Sequence, residues 1–158
     1  DKNWSTNHLN ILKNTYSKAK HYKAVIPFIE DLYNEAGKLN TISEINFHFL
    51  RAICDYLDID TKISFSSDYN LLPEGKTERL VDLCVQTSAT KYFTGSAAKS
   101  YMDEDLFKKK DIEIEYYDYS GYKEYEQMYT DFDHGVSIID LLFNEGENSK
   151  FFMKFYKI

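Results

Sequence analysis

The chain has 158 residues, a formal net charge of −7 and an isoelectric point near 5.1; 43% of it is hydrophobic and 28% charged. These figures describe one core-forming domain, or a segment of a larger α/β domain, rather than a disordered tail. They also argue against nucleic acid as a partner, since a duplex binder needs a basic footprint. Cys54 and Cys84 are too few for a disulfide framework. No run of about 18 apolar residues offers a membrane span, and the polar opening Asp1-Lys2-Asn3 is not a signal peptide. The expected compartment is a reducing cytoplasm. Asp1 in place of methionine points to something removed upstream.

Periodicity predicts helices through the first third. Ser5 to Tyr16 carries Leu9, Leu12 and Tyr16 on one face, with Ser5 as N-cap. Val25 to Glu35 is the second helix, with Pro27 expected in its first turn and Gly37 as its stop. Thr41 to Leu57 is the strongest, with Ile42, Ile45, Phe49, Ile53 and Leu57 on a wide apolar face.

From Lys62 the period changes. Lys62 to Ser66 alternates as a strand does, and Pro73-Glu74-Gly75 reads as a turn. Thr77 to Gln86 is a helix, and Lys91 to Thr94 a short strand closed by Gly95. Ala97 to Tyr101 and Glu104 to Lys110 read as helical turns, and Asp111 to Tyr117 as a third strand. Ser137 to Phe143 is a short helix ended by Asn144 and Gly146, with a last strand or helix over Phe151 to Tyr156. The fold class is therefore α/β: a helical N-terminal third, then a small β-α-β-α-β, mostly parallel sheet. Three short strands are thin, and a strand from outside this segment would complete the sheet.

In open α/β sheets ligands sit beyond the carboxyl ends of the strands. Two such ends carry small polar residues: Ser66-Ser67-Asp68, and Thr94-Gly95-Ser96 with Lys99 one turn on. The second could hold a phosphate or carboxylate at a helix start, against the plainer reading of a cap and turn. Arg79, one of two arginines, could pair with Asp82 or hold an anionic ligand. Asp118, just past the third strand, is the best carboxylate for binding or deprotonating an amine. Asp131, Asp133, His134 and Asp140 match no metal-ligand spacing and read as a solvated turn, so no metal residues are assigned. Cys54 and Cys84 lie on apolar helix faces as buried thiols. Six of the 14 tyrosines fall between Tyr116 and Tyr129. They read as the rim of a core or, alternatively, as a stacking surface for a neutral or amine-bearing small molecule, with Tyr116 its first candidate.

Several segments, in order, resemble the WbqC-like protein family. They are Asn3-Trp4 with His8-Leu9, Leu39-Asn40-Thr41-Ile42, Ser66-Ser67, Glu78-Arg79-Leu80-Val81-Asp82-Leu83-Cys84, and Thr94-Gly95. Then come Ala98-Lys99-Ser100-Tyr101-Met102-Asp103-Glu104 and, most similar, Ser137-Ile138-Ile139-Asp140-Leu141-Leu142-Phe143-Asn144-Glu145-Gly146. Asp131 to Gly135 departs from the family pattern in being more acidic.

The resemblance implies a place in bacterial O-antigen and surface-polysaccharide biosynthesis. The implied activity is transfer of a glycyl or other acyl group to the amine of a nucleotide-linked sugar. Tyr101 falls in the resembling segments as a ligand-binding residue, and on the resemblance alone Asp140 enters as a catalytic residue and Asn144 as a ligand-binding one. The expected partner is a small sugar nucleotide or amino sugar; the alternative is a non-catalytic sugar- or nucleotide-binding module. No cofactor is named by any motif. Family members begin with a strand and a His-Gln-Pro element that this chain lacks. The resemblance therefore implies a back portion of a longer protein, inactive alone if that histidine is catalytic.

Overall fold

The structure is a computed structural model that describes residues 3–71, 74–129 and 131–154. The chain forms two compact units, Asp1–Lys62 with Tyr122–Ile158, and Ile63–Gly121.

The first unit holds α1 (Trp4–Tyr16), α2 (Tyr22–Ala36), α3 (Ile42–Tyr56) and, from the far end of the chain, α6 (Ile138–Glu145). Its core is Leu9, Val25, Ile29, Leu32, Leu142 and Phe143, with Tyr16 and Tyr22 stacked on the Phe143 ring. Ser5 lies inside α1, whose N-cap is Asn3. The Ser5 hydroxyl packs against Gly37, where an added Cβ would meet it at 2.6 Å. Gly37, at the C-cap of α2, is thus needed for that close approach.

Helix α2 starts three residues before the expected Val25, which moves Pro27 into its second turn. Tertiary contact sets that start: the His21 N–H donates to the Phe143 carbonyl at 3.0 Å. Gly146, at φ +56°, seals the same junction, since a Cβ there would meet His21 Nδ1 at 2.7 Å. Helix α3 opens on a full capping box, the Thr41 hydroxyl accepting from Glu44 N–H and the Glu44 carboxylate from Thr41 N–H. Its apolar face is only partly covered, and Ile42 stays 72% exposed.

The second unit holds α4 (Lys76–Gln86), β1 (Lys91–Gly95), α5 (Glu104–Lys108) and β2 (Glu113–Tyr117). The strands pair in parallel with Lys91 opposite Glu113 and Gly95 opposite Tyr117. Val81 and Cys84 of α4 pack with Ala98, Met102, Phe107 and Ile112, and burial pushes the Cys84 thiol pKa up. Cys54 is only half-buried.

The molecule is mixed α/β, a helical N-terminal region followed by a small parallel sheet. The strand expected over Lys62 to Ser66 does not form, so among the described residues the sheet has two strands. Ser66–Asp68 is instead a 3-10 turn, held by the Asp68 carboxylate accepting from Phe65 N–H at 2.9 Å. A side chain that satisfies local backbone competes directly with sheet pairing. Pro73 lies outside the described residues; Gly75, at φ +82°, precedes α4. Gly146–Phe152 is a 3-10 helix that ends before Met153, and residues 155 and 156 of the element expected to Tyr156 lie outside the described residues. Among the described residues no helix is long and apolar enough to cross a membrane.

Candidate functional site

The residues singled out from sequence divide between the units. Ten fall in the second unit; Asp140 and Asn144 fall in the first.

In the second unit the parallel register does the positioning. Because Gly95 pairs with Tyr117, Ser96 and Asp118 leave the sheet side by side at the carboxyl end of both strands. Thr94 pairs with Tyr116, and the five-residue 3-10 turn Ser96–Ser100 brings Lys99 back. The Lys99 ammonium sits 4.5 Å from the centre of the Tyr116 ring, a cation–π contact. The Tyr116 hydroxyl donates to Glu104 Oε1 at 2.7 Å. That hydrogen bond to a carboxylate, with some burial, pushes the Tyr116 pKa up to about 12. The Asp118 carboxylate accepts from the Ser120 N–H and hydroxyl, both at 2.9 Å, and remains exposed. One strand end thus carries a lysine and two carboxylates, Glu104 and Asp118. It can meet an anion and an amine on the same ligand.

The remaining candidates are less gathered. Ser66 and Ser67 are exposed in their 3-10 turn, and Tyr101 is exposed just beyond the Ser96–Ser100 turn. Arg79 is exposed in the first turn of α4, and Asp82 accepts from Gln86 Nε2 at 2.9 Å. The aromatic stretch is not one patch. Tyr117 stacks on Phe93 at 5.6 Å, and Tyr119 leans on Tyr117 and covers Gly95. Tyr122 and Tyr125 belong to the other unit.

Among the described residues Asp140 is the most enclosed carboxylate, 8% exposed. Its Oδ1 accepts from Tyr16 at 3.0 Å; its Oδ2 accepts from Tyr125 at 2.7 Å, Asn144 at 3.2 Å and Gln127 at 3.3 Å. Burial, then the Asp140 charge, drives Tyr16 well above the usual phenol range; Tyr125 rises to about 12, chiefly through burial. Asn144, buried, also donates to the Asp140 carbonyl at 2.9 Å. Asp140 and Asn144 are one helical turn apart on α6, so their meeting was readable from spacing. Tyr16, Tyr125 and Gln127 were not readable as its partners. Tyr16 lies 124 positions away, and the segment carrying the other two has no regular structure to give a period.

Asp133 accepts from the Gly135 N–H at 2.7 Å and His134 meets the Phe132 ring edge-on, as befits a turn. Among the described residues no three His, Cys, Asp or Glu side chains gather as a metal site. The first unit also has an open apolar cavity of about 500 Å³, lined by Trp4, His8, Tyr33, Ile45, Phe49 and Ile138 among others. It exists because the apolar face of α3 exceeds what its neighbours cover.

The model of the WbqC-like protein family matches residues 1–151. The chain belongs to that family. It is also similar to the uncharacterized protein Rv1507c of Mycobacterium tuberculosis, 40% identical over 152 residues. That match takes in 96% of this chain and 65% of the relative, so this WbqC-like chain spans about two thirds of the relative's length. No solved structure matches it.

Proposed function

We propose that the strand end of the second unit binds a nucleotide-linked amino sugar, and that the chain is part of a transferase acylating its amine in surface-polysaccharide biosynthesis, in the cytoplasm. The observation that carries this reading is the register that puts Ser96 and Asp118 side by side, with Lys99 and Glu104 joined through Tyr116. Lys99, with the Thr94, Gly95 and Ser96 backbone, takes the phosphate. Asp118 and Glu104 face the amine, and Asp118 accepts the proton the amine loses.

In the transfer the amine nitrogen forms a bond to the donor's carbonyl carbon. The bond from that carbon to its leaving group breaks, and the leaving group departs with the electron pair. Ser66, Ser67, Arg79 and Tyr101 belong to the outer part of the same reading. Asp140 and Asn144 belong to the first unit, and this reading gives them a structural role there, with Asp140 accepting from Tyr16, Tyr125 and Gln127.

The experiment offers the protein, in its full-length natural form, nucleotide-linked amino sugars with acyl donors and follows product mass. The reading predicts a mass gain equal to the acyl group and its loss in Asp118→Asn. No donor consumed, or an activity indifferent to Asp118→Asn, contradicts it.

A second reading, a binding module without turnover, is favoured by the exposed Phe93–Tyr117–Tyr119 row. It predicts saccharide affinity lost in Tyr117→Ala with no product at any donor concentration.

A further inference from the structure

The apolar cavity of the first unit, about 500 Å³, has the size of a small-molecule site, for which about 300–1,000 Å³ is usual. Its lining comes from α1, α2, α3 and the start of α6. Four of the lining side chains are rings that touch one another. Tyr33 meets Trp4 at 6.2 Å, His8 at 6.4 Å and Phe49 at 5.0 Å between ring centres, at angles of 54°, 70° and 75°. Isoleucines supply most of the rest, and among the described residues no Asp, Glu, Lys or Arg lines the cavity.

Tyr33 is the polar group that marks the site. The residue is 8% exposed, and among the described residues its hydroxyl makes no hydrogen bond. A buried phenol ordinarily finds a partner. The hydroxyl is not sealed either, since among the described residues the buried side-chain atom without a partner is His21 Nε2. The open space that Tyr33 borders is the cavity, so its hydroxyl is available there. Burial alone pushes the Tyr33 pKa up, so no charged neighbour competes for the phenol.

We propose that this cavity binds an uncharged aromatic small molecule with one hydrogen-bonding group, which pairs with the Tyr33 hydroxyl while the ring packs against Trp4, Tyr33 and Phe49. The lining decides among ligand classes. An anion would be stripped of water with no Lys or Arg to meet it, and a cation with no carboxylate. A saturated molecule would fill the volume without the added gain of ring-on-ring contact. A plain hydrocarbon ring would leave the buried hydroxyl unpaired. No residue of the strand-end site takes part, and the inference does not rest on the transferase reading.

The test is an NMR titration of the chain with p-cresol, compared with toluene, 4-methylcyclohexanol and tetramethylammonium. Saturable shifts at Tyr33, Phe49 and Ile138 are expected with p-cresol. Tyr33→Phe should weaken p-cresol about fivefold, the worth of one neutral hydrogen bond, and leave toluene binding unchanged, which also reports that the variant is folded. 4-Methylcyclohexanol, which lacks the aromatic ring, and tetramethylammonium, which only ring faces attract, should each bind at least about fivefold more weakly than p-cresol. Absence of saturation by p-cresol, equal binding of either of those two, or a Tyr33→Phe effect that is missing or shared by toluene overturns the proposal.

Discussion

Asp140 and Asp118 are the two aspartates expected from sequence to be catalytic, and their surroundings are opposite. Asp140 is enclosed and accepts from the Asn144 amide one turn along its own helix and from two phenols and the Gln127 amide brought from outside it. Asp118 is exposed and accepts from its neighbour Ser120. A carboxylate enclosed by protein donors holds structure, and one exposed just past a strand end can be reached by a ligand. The two units differ in the same sense. The first closes a broad core around Phe143, and the second leaves one aromatic sheet face and the strand end open.

The largest expected effects test whether the units are separate cores. Phe143 and Phe107 are both fully buried, one in each unit. Phe143→Ala and Phe107→Ala should each cost about 3–5 kcal/mol. Hydrogen exchange should localise the loss, with Phe107→Ala raising exchange across 63–121 and sparing α1 and α2. A uniform rise across both units would merge them.

Next comes the aspartate contrast itself. Asp140→Ala strands several buried donors and should cost about 2–3 kcal/mol in urea unfolding, whereas Asp118→Ala should stay within about 0.5 kcal/mol. Equal costs would remove the distinction.

The phenols sharpen it through pH. Tyr125 binds its proton more tightly folded, with a pKa of about 12, than unfolded, where phenols titrate near 10. Its contribution is whole below pH 10 and is lost as pH climbs through about 12, so stability should fall over that range. Tyr116 has a similar value from a different leading cause, its bond to Glu104. Glu104→Gln should therefore return Tyr116 toward the ordinary range, while Asp140→Asn should leave Tyr125 raised by burial. Phenolate absorbance in single-tyrosine variants reads both.

The smallest effect is Thr41→Ala, about 1 kcal/mol through the lost cap, measured by thermal unfolding.

The helix over Thr41 to Leu57 was legible from its apolar period, whereas its Thr41–Glu44 capping box, with both bonds formed, is a finding of the structure. The parallel pairing of Lys91–Gly95 with Glu113–Tyr117 was legible for the same kind of reason, short periods bounded by turns. Lys62 to Ser66 misled because five alternating residues carry little information, and Asp68 offered the backbone a local partner that no periodicity reveals. The Lys99–Tyr116–Glu104 chain was half legible, since position predicted a strand-end cluster but not that the lysine would rest on a tyrosine ring.

The strand-end site is tested most directly by titrating the chain with a nucleotide-linked amino sugar while recording its backbone amide NMR spectrum. Saturable shifts should concentrate at Thr94 to Lys99, Tyr116 and Asp118, and should weaken in Lys99→Met. No saturable shift, or shifts confined to the first unit, would contradict the assignment of that strand end as the binding site.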